Sequence, residues 1–136
     1  LQLIAQSHGQ GLRLRVENLF AGAYSERPDP QVGIVAGAVK LMRSNLEEPL
    51  PICDIAVRLG RSQRHLEMQV REKMGANPQV IYRRMRLALA RSLAVDTQLS
   101  VVEIALRCGY QDASAMTRAF RAEFGTTPQA LRRGLG

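Results

Sequence analysis

The feature that most constrains the fold of this 136-residue chain is an internal repeat. The hexapeptide IAVRLG at residues 55–60 returns as IALRCG at residues 104–109, an offset of 49 positions. Repetition within one chain indicates that a single supersecondary unit is used more than once. The sequence therefore predicts two similar units, each with a buried face of its own.

The similarity continues past the hexapeptide once a single residue is inserted in the second copy. The matching pairs are then Leu66 and Met116, Val70 and Phe120, Met74 and Phe124, Arg71 and Arg121, Gly75 and Gly125, and Pro78-Gln79 and Pro128-Gln129. Each copy shows a short helix, a turn with glycine, a second helix that stops at glycine, and a helix that starts with proline. This order is typical of the helix-turn-helix motif.

Capping and breaking residues predict where the helices begin and end. Ser62, Asn77 and Asp112 are in N-cap positions, and Ser100 forms a capping box with Glu103. No segment alternates with a period of two for long enough to predict a strand. The fold class is therefore all-α, with two helix-turn-helix subdomains joined by a long linker helix. The seven expected helices cover residues 33–46, 52–59, 63–74, 78–95, 101–108, 113–124 and 129–133.

The net charge of +7 and the isoelectric point of about 10.4 indicate a polyanionic partner, nucleic acid first and anionic membrane second. The charge is uneven, because residues 1–30 are neutral overall whereas residues 31–136 hold 16 basic and 9 acidic side chains. No apolar run approaches the roughly 18 residues of a membrane span, and the basic helices lack an apolar face rich in Trp or Phe. We therefore expect double-stranded DNA and no membrane as the partner.

Each copy predicts one recognition helix, at about residues 62–74 and 112–124, for successive major grooves of DNA. In each recognition helix, the apolar residues at i, i+4 and i+8 face the core. The polar side chains between them therefore face the solvent. Arg118 is the expected guanine contact and Arg121 the expected phosphate contact. The predicted DNA-binding residues are Arg61, Gln63, Arg64, Glu67, Met68 and Arg71 in the first copy, and Gln111, Ser114, Thr117, Arg118 and Arg121 in the second.

Catalytic signatures are missing from the sequence. With His8 and His65 as its two histidines, the chain has no HExxH motif, no Cys–His ligand cluster and no Gly-rich phosphate loop. We therefore expect no enzyme activity, no cofactor and no metal. Cys53 and Cys108 lie in apolar helical patterns, which predicts two reduced, buried thiols, with a disulfide or metal pair as the alternative.

From about Gln31 to Arg133 the chain resembles the DNA-binding domain of the AraC/XylS family of bacterial transcription regulators. The resemblance is carried by Gly109-Tyr110, Asp112, Thr117-Arg118-Ala119-Phe120 and Gly125-Thr126-Thr127-Pro128. Family members often have an aromatic residue at the position of Met116, phenylalanine at that of Val70 and arginine near Met68, so the first copy has lost one cation. The resemblance implies a cytoplasmic, sequence-specific DNA-binding regulator of the activator type, with RNA polymerase as a further partner.

Residues 1–31 show a second resemblance, to the last helices of the glutamine-amidotransferase-like sensor domain of one AraC branch. Pro28 and Pro30 interrupt any helix there and predict a boundary. We expect residues 1–31 to be the tail of an upstream sensor domain that binds the effector. Residues 32–136 would form the DNA-binding domain, with helix-turn-helix subdomains at about 32–76 and 100–134 and a linker helix at about 78–95. The alternative is a helical protein-interaction fragment that contacts RNA polymerase or another protomer and binds DNA without specificity.

Overall fold

The computed structural model describes residues 33–135. Within that range the chain forms helices and no strands, which confirms the all-α class and the number of helices expected. The sequence around His8 and the boundary near Pro30 lie outside the described residues. The helices are α1 (Gly33–Arg43), α2 (Ile52–Arg58), α3 (Gln63–Met74), α4 (Pro78–Asp96), α5 (Val101–Arg107), α6 (Ala113–Phe124) and α7 (Pro128–Leu135).

The predicted N-caps form the hydrogen bonds that orphan amides at helix starts require. Ser62 accepts from the His65 amide, and Asp112 accepts from the Ala115 amide at 2.8 Å. Ser100 caps α5 in the same way, at 3.0 Å from the Glu103 amide. Asn77 and Thr127 cap α4 and α7, each bonding the amide three residues further on. Local sequence is therefore sufficient to place these helix starts.

The described helices divide into two compact units, and α4 contributes to both. The first unit comprises residues 33–45 and 49–83, and the second comprises residues 46–48 and 84–135. In the first unit α1, α2 and α3 pack together with the start of α4. Its buried apolar side chains are Val35, Ala36, Ala38, Val39, Met42, Ile55, Ala56, Leu66, Val70, Ile81 and Tyr82.

The second unit has a core built from matching positions of the repeat. Ile104 and Phe120 are fully buried, as are Ile55 and Leu66 at the corresponding places in the first unit. Phe120 also meets Phe124 edge to face, with ring centroids 4.7 Å apart. The repeat in sequence is therefore a repeat in packing. The buried cluster consists of Leu87, Ala90, Ala94, Ile104, Ala105, Cys108, Met116 and Phe120.

Two different side chains do the same task at the equivalent positions 82 and 132. In the first unit the Tyr82 hydroxyl donates to the Asn45 carbonyl, just after α1, and accepts from the Leu50 amide at 3.0 Å. In the second unit Arg132 donates to the Ala94 carbonyl at 2.9 Å and to the Thr97 carbonyl at 3.1 Å. Each bond ties the last helix of a unit to the C-terminal end of its first helix.

The structure corrects two details of the sequence interpretation. Cys53 is exposed, so the prediction of two buried thiols holds only for Cys108. The reason is helical geometry: Ile55 points into the core, and a residue two positions away lies about 200° around the helix. The first helix also ends at Arg43 and not at residue 46, because the Asn45 side chain bonds the Leu41 carbonyl at 2.8 Å and closes the last turn.

Candidate nucleic-acid interface

Both units contain the same turn between their second and third helices. Gly60 and Gly109 have φ angles of 71° and 83°, a left-handed conformation in which a Cβ atom is strained. The Arg61 amide then bonds the Ala56 carbonyl at 3.0 Å, and the Tyr110 amide bonds the Ala105 carbonyl at 2.9 Å. The glycine therefore sets the angle at which each recognition helix, α3 or α6, leaves the turn.

The second turn is one residue longer and has an additional brace. Arg86, from α4, donates through Nε to the Cys108 carbonyl at 2.8 Å and through a terminal nitrogen to the Gly109 carbonyl at 2.9 Å. Its guanidinium carbon also lies 4.3 Å from the centre of the Tyr110 ring. These contacts satisfy carbonyls at the end of α5, where the helix dipole favours a cation.

Burial raises the pKa of the Cys108 thiol to about 12, against the opposing effect of the Arg86 charge. This thiol is neutral at physiological pH and packs as a small apolar group. The structure therefore gives Cys108 a role in the core of the second unit. Both Cys53 and Cys108 are free thiols.

Three predicted contact residues of α6 line an open hollow with a volume of about 620 Å³. They are Ser114, Thr117 and Arg118, and Ser114 and Arg118 are exposed. The hollow is also lined by residues at the start of α5 and by Gln129 at the start of α7. The N-terminal ends of three helices thus meet at one hollow, an arrangement that favours anionic groups.

Two predicted residues of the second unit are not part of the lining of this hollow. Gln111 is exposed in the turn, and Arg121 is exposed about one helical turn beyond Arg118. Both remain accessible, and neither is held by a contact with a partner side chain in the described part of the chain. That Arg121 contacts phosphate stays a prediction.

The predicted residues of the first unit form one exposed row on and before α3. Arg61, Gln63, Arg64 and Arg71 are exposed, Met68 is 57% exposed, and Glu67 is half-buried. Gln63 donates from Nε2 to Glu67 Oε2 at 3.0 Å. This row carries three cations and one carboxylate. The predicted contact residues of the second unit, on and before α6, include two cations, Arg118 and Arg121, and no acid.

Sequence reasoning missed five residues that line the hollow of the second unit: Ser100, Val101, Val102, Ala113 and Gln129. A signal for Gln129 was present, because it matches Gln79 in the repeat and follows a proline that starts a helix. Ser100 was read as a cap alone. Val102 is 57% exposed.

Residues 33–135 hold no group of three or more His, Cys, Asp or Glu side chains that could bind a metal ion. Nor is any helix in this range long and apolar enough to cross a membrane. Burial leaves no charged side chain in the core of the described residues.

The sequence pattern of the family described as "Helix-turn-helix domain" matches residues 55–134. Among solved structures, an AraC-type transcriptional regulator from Chromobacterium violaceum is 37% identical, with a TM-score of 0.71. The match covers 74% of this chain and 89% of that one. The chain belongs to the AraC-type family of helix-turn-helix DNA-binding domains.

Other transcriptional regulators extend the comparison. The DNA-binding domain of AdpA, solved in complex with a target DNA, is 28% identical with a TM-score of 0.70, over 74% of this chain and 90% of that one. The transcriptional regulator CdhR of Pseudomonas aeruginosa is 33% identical over 97% of this chain and 43% of its own length. GbdR, from the same species, is 29% identical over 98% of this chain and 40% of its own length. The chain thus spans about two fifths of the length of these two regulators.

Membership of this family agrees with the prediction that the chain is not an enzyme, because AraC-type domains are DNA-binding modules of transcription regulators. The family match at residues 55–134 spans both copies of the repeat. The DNA contacts of the individual residues on α3 and α6 stay predictions.

Proposed function

We propose that this chain is the sequence-specific DNA-binding part of a bacterial transcription regulator. The observation that carries the proposal is the pair of exposed polar rows on equivalent recognition helices, within a fold similar to the DNA-bound domain of AdpA. All of the excess positive charge falls in residues 31–136, which contain both rows. Phosphate contacts by this charge would supply affinity, and contacts to base edges would supply specificity.

The role of each residue follows from its chemistry and its place in the row. Arg118, which lines the hollow, suits a bidentate contact to the O6 and N7 atoms of guanine. Ser114 and Thr117 can donate to base edges or phosphate beside it. Arg64, Arg71 and Arg121, which are exposed, suit phosphates.

The test is selection of bound sequences from random duplex DNA, followed by titration of the selected site at several salt concentrations. We expect one asymmetric motif of roughly 15–20 base pairs with two contact zones about one helical turn apart, bound by a monomer. With 6–10 phosphate contacts, affinity would fall by about 10³–10⁵ between 50 and 200 mM salt. A flat salt dependence with no selected motif would refute the proposal.

Regulation would involve parts of the full protein beyond the two units. We propose that residues 1–31 end an upstream glutamine-amidotransferase-like sensor domain that binds the effector, in the cytoplasm. The alignments with GbdR and CdhR support this, because they reach across 97–98% of this chain and so include these residues. The activator role is supported by similarity to RhaS of Escherichia coli, a transcriptional activator, which is 38% identical over 59% of this chain.

A second function, contact with RNA polymerase or another protomer, is favoured by apolar side chains on the surface. Val57 on α2 is 75% exposed, and Val102 and Leu106 on α5 are 57% and 46% exposed. Val102 and Leu106 lie one helical turn apart on α5, and exposed apolar groups that lie close together are typical of protein contact sites. Replacement by serine of Val57 and Leu106, which do not line the hollow beside Arg118, would then lower transcription activation in a reporter assay and leave DNA affinity unchanged. Equal loss of DNA affinity would assign these residues to the DNA interface.

A further inference from the structure

The start of α3 carries a side-chain pair that its counterpart α6 cannot form. Gln63 donates from Nε2 to Glu67 Oε2 at 3.0 Å, one helical turn away. The repeat places Ala113 and Thr117 at the equivalent positions of α6. Neither the alanine methyl nor the threonine hydroxyl reproduces an amide held by a carboxylate. The two recognition helices therefore present different hydrogen-bonding groups at the same place.

The carboxylate decides how the amide of Gln63 is turned. An ionised glutamate accepts hydrogen bonds and donates none, so the amide nitrogen, and not the oxygen, must face Glu67. One N–H bond is used in this contact. The carbonyl oxygen and the second N–H of Gln63 are then directed toward another partner, as an acceptor and a donor side by side.

Adenine offers the complementary arrangement in the major groove, with the N6 amino group as donor and N7 as acceptor. Gln63 is the first residue of α3 and is exposed, whereas Glu67 is half-buried. The N-terminal residues of a recognition helix are those that reach base edges. We propose that Gln63 reads an adenine in the first half of the binding site and that Glu67 is a positioning residue that fixes the orientation of its amide. This inference rests on the proposed DNA-binding function.

The pairing would also explain why an acid lies in a surface row that must approach phosphates. A lone carboxylate there would repel the DNA backbone. In the observed pair the Glu67 carboxylate accepts a hydrogen bond from Gln63, which offsets part of its charge. The carboxylate then restricts which base the Gln63 amide can bind. The second half of the site would then favour guanine through Arg118 and the first half adenine through Gln63.

The experiment starts from the sequence that the wild-type chain selects from random duplex DNA. Each adenine of the first half-site is replaced in turn by 7-deazaadenine, which lacks the N7 acceptor, and the ratio of dissociation constants is measured. We expect one position at which this change weakens wild-type binding by about 5-fold or more, within the range of a bidentate base contact. At that position the Gln63→Ala variant should show no effect of the analogue.

Three further variants separate orientation from charge. Glu67→Ala removes the acceptor and should lower the effect of the analogue, with no additional change in the double variant with Gln63→Ala. Glu67→Gln keeps an acceptor oxygen without the charge and should retain most of the effect. Glu72→Ala, a matched control that removes an exposed carboxylate from the same helix, should retain all of it. Thermal unfolding of each variant, followed by circular dichroism, verifies that it is folded.

The outcomes distinguish this inference from the function on which it rests. An unchanged analogue effect in Glu67→Ala, or single-variant losses that add in the double variant, would overturn it. So would a cytosine preference that depends on Glu67 and not on Gln63, because the carboxylate would then read the base itself. If the wild-type chain still selects a motif whose guanine depends on Arg118, the DNA-binding proposal stands. If it selects no motif, the function itself is refuted.

Discussion

Residues at equivalent positions of the two units share a backbone setting and differ in chemistry. Leu66 and Met116 both fill a core, and Tyr82 and Arg132 both tie one helix end to another. The exposed positions have diverged further, since Met68 stands where the second unit has Arg118. Packing limits the residues that a core position accepts, whereas a solvent-exposed position can change without loss of stability.

Arg118 and Arg121 lie on the same helix, are both exposed, and should differ in what they contact. Arg118→Ala should cost about 1–3 kcal/mol of binding free energy and relax the preference at one or two base pairs, because it removes a contact to guanine. Arg121→Ala should weaken binding to all sequences alike and lower the salt slope by about one, because it removes a phosphate contact. Fluorescence anisotropy with the selected site and a scrambled site measures both. Equal loss of affinity for the two sites in Arg118→Ala would contradict base reading.

Cys108 makes the stability of the second unit sensitive to alkaline pH. The thiol has an ordinary pKa of 9.0 in the unfolded chain, and burial raises the pKa to about 12 in the folded one. Between these values the unfolded chain binds fewer protons, so stability falls as pH rises, by at most about 1.4 kcal/mol per pH unit. Below pH 9 the contribution is constant.

The measurement is the free energy of unfolding by urea between pH 8 and pH 10.5, for the wild-type chain and for Cys108→Ala. Above pH 9 we expect the free energy of unfolding to fall more steeply with pH in the wild type than in Cys108→Ala. The variant should be less stable than the wild type by a constant amount below pH 9. Cys53→Ala, which removes the exposed thiol, is the control. Parallel curves for wild type and Cys108→Ala would show that this thiol ionises equally in both states.

At the scale of elements, short helices in this chain depend on contacts at their ends. α2 and α5 are each seven residues long, which is too short for stability from helix propensity alone. Glycine turns follow both helices, and within residues 33–135 an arginine from α4 braces the second turn but not the first. Burial of Ile55 and Ala56, or of Ile104 and Ala105, holds the helices against their units.

Removal of the brace should destabilise the second unit selectively. Arg86→Met keeps an apolar stem and loses two charge-assisted hydrogen bonds to the Cys108 and Gly109 carbonyls, together with the contact to the Tyr110 ring. We expect a loss of about 1.5–3 kcal/mol in unfolding free energy. Amide hydrogen exchange should show lower protection in α5 and α6. Arg83→Met, an exposed position on the same helix, is the control, and similar losses for both variants would contradict a specific brace.

At the scale of the whole molecule, charge and connectivity determine how two recognition helices could act together. The net charge of +7 draws the chain to a polyanion, and the charge lies with the two units. α4 runs for 19 residues from Pro78 to Asp96 and belongs to the first unit at its start and to the second thereafter. An unbroken helix contains no hinge such as glycine or an internal proline would supply.

The spacing between the half-sites should therefore matter. One inserted base pair rotates the second half-site by about 34° and moves it by about 3.4 Å. We expect a loss of binding free energy of order 1–6 kcal/mol, the cost of bending DNA to restore both contacts. Affinity is measured for sites with zero, one and five inserted base pairs. Unchanged affinity across the series would mean that one recognition helix binds alone or that α4 bends.

The sequence by itself determined the local and periodic features. Helix starts at Ser62, Ser100 and Asp112 follow from side chains that bond amides three residues away, and such contacts need no tertiary partner. The buried row of each recognition helix follows from its period of 3.6 residues. The repeat then implied two units of one design. The exposed rows of the candidate site could be predicted in this way because exposure is the complement of the apolar stripe.

Only the tertiary structure decided which distant groups meet. The pattern placed Cys53 in an apolar helix, but the direction of Ile55 toward the core turned Cys53 outward. The contact of Arg86 with two carbonyls more than twenty residues away has no local signal. The repeat indicated that Gln129 starts a helix, but not that it lines the same hollow as Arg118. Such contacts depend on how helices cross, which is set by the packing of many side chains at once.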